Sequence, residues 1–287
     1  MNKPHIIVLG IGGQLGQEFQ KISSAYPSYN FRFIPRTELD LQNVEAVNNL
    51  LLSFKNSILV NCAAYTAVDK AEIETEQAYR INGEAVGELA ACCHKLNIRF
   101  IHYSTDYVFD GNSSTPYTED ALASPVNVYG ASKLRGEELC ARYNPESIII
   151  RTSWVYSAFG NNFVKTMIRL LTERESIKVV NDQLGSPTWA EDLAHATMQV
   201  IASEQWIPGI YHYANAGRIS WYEFALAIKE IIQSNCNVHP IPAADYPTAA
   251  RRPSFSLLDT RKIVSTYSLN IPPWRHSLTA CLKELQY

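Results

Sequence analysis

The chain has 287 residues, 46% of them hydrophobic and 18% charged, and 28 acidic against 25 basic side chains leave a net charge of −3. That balance offers no electrostatic footing for nucleic acid or an anionic membrane, and no apolar run approaches the length of a membrane span. The length admits one large domain or two unequal ones, with a substantial core in either case.

Taken in chain order, short apolar runs alternate with stretches of helical periodicity. "HIIVLG" at 5–10 reads as a first buried strand, and "VLGIGGQLGQEF" then sets Gly10, Gly13 and Gly16 between that strand and a helix. Glycines belong in such a turn because backbone N–H groups must approach a pyrophosphate with no side chain between, at a helix end that carries partial positive charge. The G-x-x-G-x-x-G spacing therefore points to a dinucleotide, the plain alternative being a tight turn without a ligand. The next strand, 30–36, ends at Arg36. An acidic residue there would take the ribose hydroxyls of NAD, whereas an arginine suits the 2′-phosphate of NADP, so NADPH is expected and NADH stays open. Asp40 and Leu41 are placed beside the adenine.

Helical text at 45–54 and a strand at 57–64 follow, then a helix at 84–96 and a strand at 99–105 that ends on Thr105. A helix at 131–143 and an apolar run at 147–156 complete the first half. Strands apolar on both faces that alternate with helices predict a doubly wound parallel sheet of Rossmann type, with Thr105 on its ligand-binding carboxyl edge. Tyr129 and Lys133 stand four residues apart, and no other of the sixteen tyrosines has a lysine at that spacing. One helical face carries both. A nearby ammonium favours the phenolate, so the phenol can give and take a proton near neutral pH, while Thr105 orients a carbonyl oxygen. Asn82 is a weaker candidate for a proton relay. The set predicts the acid–base centre of a nicotinamide-dependent carbonyl reductase, against the plain reading of an exposed helical pair.

After residue 156 the alternation becomes irregular. Helical pieces at 161–171 and 220–232 mix with short strands at 177–182 and 209–215 and with proline-bearing loops at 240–255 and 269–276. A smaller mixed α/β lobe is expected, with residues 1–156 as the dinucleotide-binding domain and 157–287 mainly as a substrate-binding lobe, some segments returning to the first domain. The six cysteines (Cys62, Cys92, Cys93, Cys140, Cys236 and Cys281) match no metal or disulfide spacing, and no structural metal is expected. The start "MNKPHIIVLG" shows no signal-peptide pattern, which predicts a cytoplasmic protein.

The motifs "GQLG", "AAYTAVDKAE", "STDYVFDG", "VYGASKLRGE", "RTSWVY", "GNNFVKTM", "VVNDQLGSPT", "SWYEFA" and "RPSFSLLD" run in order along nearly the whole chain. With them the sequence resembles the extended short-chain dehydrogenase/reductase superfamily, and within it the dTDP-4-dehydrorhamnose reductase family. The resemblance implies hydride delivery to the C4 keto group of dTDP-4-dehydro-β-L-rhamnose, giving dTDP-L-rhamnose for cell-surface polysaccharide. It makes Tyr129 the proton donor, Lys133 its partner and cofactor contact, and Thr105 the orienting hydroxyl. It places Gly13, Gln14 and Leu15 on the pyrophosphate and Ala63, Ala64, Tyr65 and Thr66 along the cofactor. Thr105, Asp106 and Trp154 fall on the sugar, a core tryptophan being the alternative for Trp154. Arg252 suits the substrate diphosphate or else pins the proline loop. Asp182 and Gln183 position the sugar or close a turn.

Two positions depart from the family pattern: Gly12 replaces a threonine or asparagine common in relatives, and Arg36 replaces an acidic residue found in some. The family leaves room for a homodimer and for magnesium, although no carboxylate cluster in the sequence compels a metal. Two other readings share these motifs. One is a different nucleotide-sugar reductase or epimerase. The other is a non-catalytic NADP-binding regulatory subunit resembling that of methionine adenosyltransferase, which has no need of a complete Thr105–Tyr129–Lys133 set.

Overall fold

The computed structural model describes residues 3–203 and 205–287. Strands β1 (His5–Leu9), β2 (Asn30–Ile34), β3 (Ile58–Asn61), β4 (Arg99–Thr105) and β5 (Ile148–Thr152) form an all-parallel sheet, joined at one edge by the strand Gly209–His212. The spatial order is Gly209–His212, β5, β4, β3, β1, β2. The chain thus leaves β1 in one direction for β2 and returns past it for β3. This reversal opens a crevice at the carboxyl ends of β1 and β3, where doubly wound sheets take their ligands.

Helices cover both faces, as the two-sided apolar strands require. α1 (Gln14–Ile22) follows β1, α2 (Val44–Leu52) follows β2, and α3 (Val68–Ala71), α4 (Thr75–Tyr79) and α5 (Ala85–Lys95) connect β3 to β4. α6 (Val128–Tyr143) connects β4 to β5. Ile6, Val8, Val60, Ile101 and Ile150 pack on Phe19 of α1 and on Leu193 and Met198 of the helix Ala190–Ala202. Ile7, Leu9, Leu59, Phe100 and Ile149 point the other way, onto Val47, Leu89, Cys93 and Cys140. Alternate residues of one strand thereby feed two cores.

A third core holds Tyr156, Val164, Met167, Phe224, Ile228 and Leu278. It lies among the helices Phe163–Glu173, Trp221–Ile231 and Trp274–Glu284, beside a parallel ribbon of Ser176–Val180 and Asn237–Ile241. Among the described residues no helix is long and apolar enough to cross a membrane.

Three departures from the expected elements bear on the site. The apolar run at 147–156 is not one strand. β5 stops at Thr152, and the backbone turns at Trp154, whose φ is +47°. Val155–Tyr156 then resumes as a separate strand against Thr188–Trp189. A left-handed backbone at a bulky residue costs roughly 1–2 kcal/mol and is held only where surrounding contacts fix it. α6 begins three residues earlier than periodicity suggests, because the Asn127 side chain accepts a hydrogen bond from the Gly130 amide at 2.7 Å. Tyr129 therefore sits inside the first turn. Finally, α4 passes into α5 through a π-helical turn at Arg80–Glu84, which carries Asn82.

Candidate active site

The crevice opens into a cavity of about 1160 Å³ that reaches from the glycine turn to Trp154 and Trp221. This exceeds the volume usual for a single small ligand, leaving room for two. At its floor Gly10 has φ +73°, and a methyl group there would lie 2.4 Å from the Ala63 nitrogen. Only glycine lets the first turn lie so close to the segment after β3. Gly16 does not line the cavity; it packs beneath the turn, where a Cβ would stand 2.5 Å from the Gly10 carbonyl oxygen. Gly12 faces open space, so its departure from the family pattern costs no contact.

The N-cap of α1 is Gly13, which offers no side chain to the first-turn amides. They remain available to an anion at the positive end of the helix dipole. Gln14 and Leu15 line the same wall, and Arg36, Asp40 and Leu41 line the far end beyond β2. This donor set fits a dinucleotide phosphate chain, with a guanidinium free to meet a further phosphate.

Ala63, Ala64 and Thr66 line the cavity, but Tyr65 does not. Its phenol donates to Glu74 Oε2 at 2.6 Å, and both of its backbone polar groups are taken by Asn82. Asn82 Oδ1 accepts from the Tyr65 amide at 2.8 Å, while Nδ2 donates to the Tyr65 carbonyl and to Ser132 Oγ, each at 3.0 Å. Both N–H donors of Asn82 are thus committed, while Oδ1 keeps one lone pair. Asn82 clamps the cofactor wall to α6.

Tyr129, Lys133, Thr105 and Asp106 converge on the middle of the cavity. Gly130 lets α6 approach β4, since a methyl group there would meet the Tyr107 carbonyl oxygen at 2.1 Å. Burial pushes the Tyr129 phenol above its ordinary pKa, with the Thr105 hydroxyl opposing. The phenol is therefore protonated and ready to donate. The amino group of Lys133 is bonded inward, toward the sheet. Nζ donates to the Tyr103 carbonyl at 2.6 Å and faces His102 Nε2 at 3.3 Å. Burial brings Lys133 down to about 8, partly resisted by Glu137. Thr105 donates to Asp106 Oδ1 at 3.1 Å, and burial raises that carboxyl to about 6.

At the end away from the glycine turn Trp154 lines the cavity, stacked on Trp221 with ring centroids 3.6 Å apart. Phe163 supports Trp221 from behind at 4.6 Å. Arg252 also lines the cavity, and its Nη2 donates to Asp69 Oδ2 at 2.8 Å. Asp69 additionally accepts from the Ala250 amide at 3.1 Å, so one carboxylate ties the proline loop to α3. Arg252 Nε has no hydrogen-bond partner among the described residues. Asp182 lies outside this cavity and accepts from the Ala243 amide at 2.8 Å, joining the segments that follow the two strands of the parallel ribbon.

Sequence reasoning missed Trp221, Tyr107 and His102. The first two line the cavity, and Tyr107 meets Tyr129 edge-on at 5.7 Å. Among the described residues no group of three His, Cys, Asp or Glu side chains is arranged to hold a metal ion.

With this geometry in place, the comparisons with known proteins are specific. The model of the RmlD substrate binding domain family matches residues 4–287. A dTDP-4-dehydrorhamnose reductase of Aggregatibacter actinomycetemcomitans is 40% identical, covering 95% of this chain and 96% of its own. One from Escherichia coli K12 is 39% identical, with 98% of each chain covered. A dTDP-4-dehydrorhamnose reductase from Bacillus anthracis, whose crystal structure is a complex with NADP, superposes with a TM-score of 0.94 at 36% identity. The match covers 99% of this chain and 100% of that one.

Proposed function

The chain belongs to the dTDP-4-dehydrorhamnose reductase family of oxidoreductases, and from that premise we propose that it reduces the C4 keto group of dTDP-4-dehydro-β-L-rhamnose with NADPH. One observation carries the reading: Thr105, Tyr129, Lys133, the glycine turn and Trp154 all line a single cavity. Bound at the turn, NADPH supplies the hydride.

The residues divide the remaining work. The first-turn amides of α1 and Arg36 hold the phosphates, and Ala63, Ala64 and Thr66 form the wall along the dinucleotide. The Thr105 hydroxyl turns from Asp106 to the substrate carbonyl oxygen and orients it. As C4 gains the hydride, that oxygen takes the electron pair of the π bond and accepts the Tyr129 phenolic proton. The resulting phenolate lies on the same helical face as Lys133, which favours its charge when protonated and also meets the ribose hydroxyls, and water then restores the proton. Trp154, backed by Trp221, stacks on the sugar. Arg252 exchanges part of its contact with Asp69 for the substrate diphosphate, which its fork of N–H donors suits. The second lobe thereby supplies the sugar-nucleotide side of the cavity and the sheet supplies the cofactor side.

The test is NADPH oxidation by the purified protein given dTDP-4-keto-6-deoxyglucose, with and without a 3,5-epimerase. Oxidation that requires the epimerase supports the reading. Oxidation without it points to a different keto-sugar, and tight NADPH binding with no oxidation in either case overturns the substrate assignment.

A further inference from the structure

Behind the tyrosine–lysine pair a line of hydrogen-bonding groups crosses the sheet from the cofactor wall to Lys133. The Ala63 amide donates to Asn61 Oδ1 at 3.1 Å, and Asn61 Nδ2 meets His102 Nδ1 at 3.1 Å. His102 Nε2 meets Lys133 Nζ at 3.3 Å. Asn61, His102 and Lys133 are at most 2% exposed, so bulk water cannot repair a mismatch between them.

The direction of the line is fixed from one end. A backbone N–H can only donate, so Asn61 must present its oxygen to Ala63 and its NH₂ to His102. Nδ1 must then accept, and a neutral imidazole that accepts at Nδ1 carries its hydrogen on Nε2. That Nε2–H points at Lys133 and is satisfied only if Nζ has a lone pair. Turning Asn61 over would allow Nδ1–H to donate and Nε2 to accept from an ammonium, but it would set the Asn61 NH₂ against the Ala63 N–H. An imidazolium would donate at both nitrogens. Every arrangement with an ammonium therefore leaves two donors facing each other, and the arrangement with an amine leaves none.

We propose that His102 is a positioning residue whose Nε2–H tautomer, imposed from Ala63 through Asn61, favours the amine form of Lys133 over the ammonium in the free protein. An amine still donates to the Tyr103 carbonyl and keeps one N–H for the cleft. The charge available to the Tyr129 phenolate is then governed by a residue that lines no part of the cavity. This consequence rests on the role assigned to Lys133 above; the hydrogen-bond pattern does not.

The other groups around Nζ do not supply the effect. On α6 it has Glu137 and Cys140, with Tyr129 one turn back on the same face. Glu137 acts in the opposite sense, toward an ammonium, and is itself bonded to Arg151 of β5 at 2.6 and 2.9 Å. On β4 it meets His102 and the Tyr103 carbonyl; Asp106 and Cys62 line the same cavity after β4 and β3, and Cys93 lies on α5 near Cys140. Burial, reinforced by Lys133, holds His102 well below the usual imidazole range, in line with a neutral ring.

The test follows the Lys133 ¹³Cε resonance against pH, assigned with Lys133→Met, in the full-length protein and in two variants. His102→Gln offers Nζ a carbonyl oxygen. Asn61→Asp accepts from both Ala63 and Nδ1–H, which turns the Nε2 lone pair toward the lysine. Both are expected to raise the pH at which Lys133 titrates by at least about one unit and to carry the alkaline limb of kcat/KM with it. NADPH binding serves as the check that each variant is folded, and either variant alone suffices. An unmoved lysine titration in a folded variant overturns the proposal, as does an ordinary lysine value in the unaltered protein. A lysine that moves while the rate profile stays fixed upholds the proposal and instead removes Lys133 from the catalytic assignment.

Discussion

Glu137→Gln puts the support behind Lys133 to a quantitative test. Glu137 and Arg151 form a two-point pair at 2.6 and 2.9 Å, with side chains 3% and 4% exposed. The substitution keeps the shape and removes the charge, leaving the guanidinium buried. Its remaining neighbours are poor substitutes: the Phe109 ring at 5.1 Å, and His212 at 3.4 Å, which burial lowers to about 3 and so keeps neutral. Breaking one side of a buried pair costs about 3–5 kcal/mol, against a total stability of order 5–15 kcal/mol. Urea unfolding followed by both fluorescence and circular dichroism should show a midpoint lowered by about 1 M or more, taking a slope of a few kcal/mol/M. The paired variant Glu137→Gln/Arg151→Met should recover most of the loss, because no charge is then stranded. A single-variant loss below about 1 kcal/mol, or a double variant no better than the single, would refute the reasoning.

Glu18 is fully buried, and burial raises it to about 7, so between the usual 4.5 and 7 the folded state keeps a proton that the unfolded state has released. Stability should therefore fall as pH rises through that window, by up to about 3 kcal/mol, and Glu18→Gln should flatten the fall; an unchanged pH profile of the melting temperature would contradict this. Gly16→Ala sets a methyl group against the Gly10 carbonyl and Ile11 Cα, at 2.5 and 2.6 Å. The turn must shift, and NADPH titration should show affinity weakened at least about tenfold. Trp221→Ala removes the plate behind Trp154 and should raise KM for the sugar nucleotide on the order of tenfold, from an aromatic pair worth about 1 kcal/mol. NADPH affinity should stay the same; a loss of both would place the stack in the fold rather than in the sugar site.

The sheet was legible because its strands are buried on both faces, and continuous apolar text such as "SILVNCAA" records that directly. The turn was legible for a local reason too: Gly10, Gly13 and Gly16 answer to contacts within one βα connection. Tyr129 and Lys133 share a helical face by spacing alone, so their common wall of the cavity follows from α6. What the sequence did not disclose depends on partners far away in the chain. Trp154 bends the backbone out of an apolar run because it stacks on a tryptophan sixty-seven positions later. Asn82 reads only as a relay candidate, and its clamp on Tyr65 and Ser132 depends on partners 17 and 50 positions away. Arg252 stays open between a diphosphate and the proline loop, and its partner Asp69 comes from a motif read only for its resemblance. The inward turn of Lys133 needed the Tyr103 carbonyl and the His102 ring, which no helical spacing announces.

The central claim is that the Tyr129 phenol donates the proton during reduction. Tyr129→Phe removes only that oxygen, so NADPH binding and NADPH oxidation on the epimerised keto-sugar should be measured side by side in the variant. The account predicts a dissociation constant close to that of the unaltered protein, together with turnover lowered by about 10²–10⁴. Turnover within a few-fold of normal would contradict it and move the proton donor to another residue in the cavity.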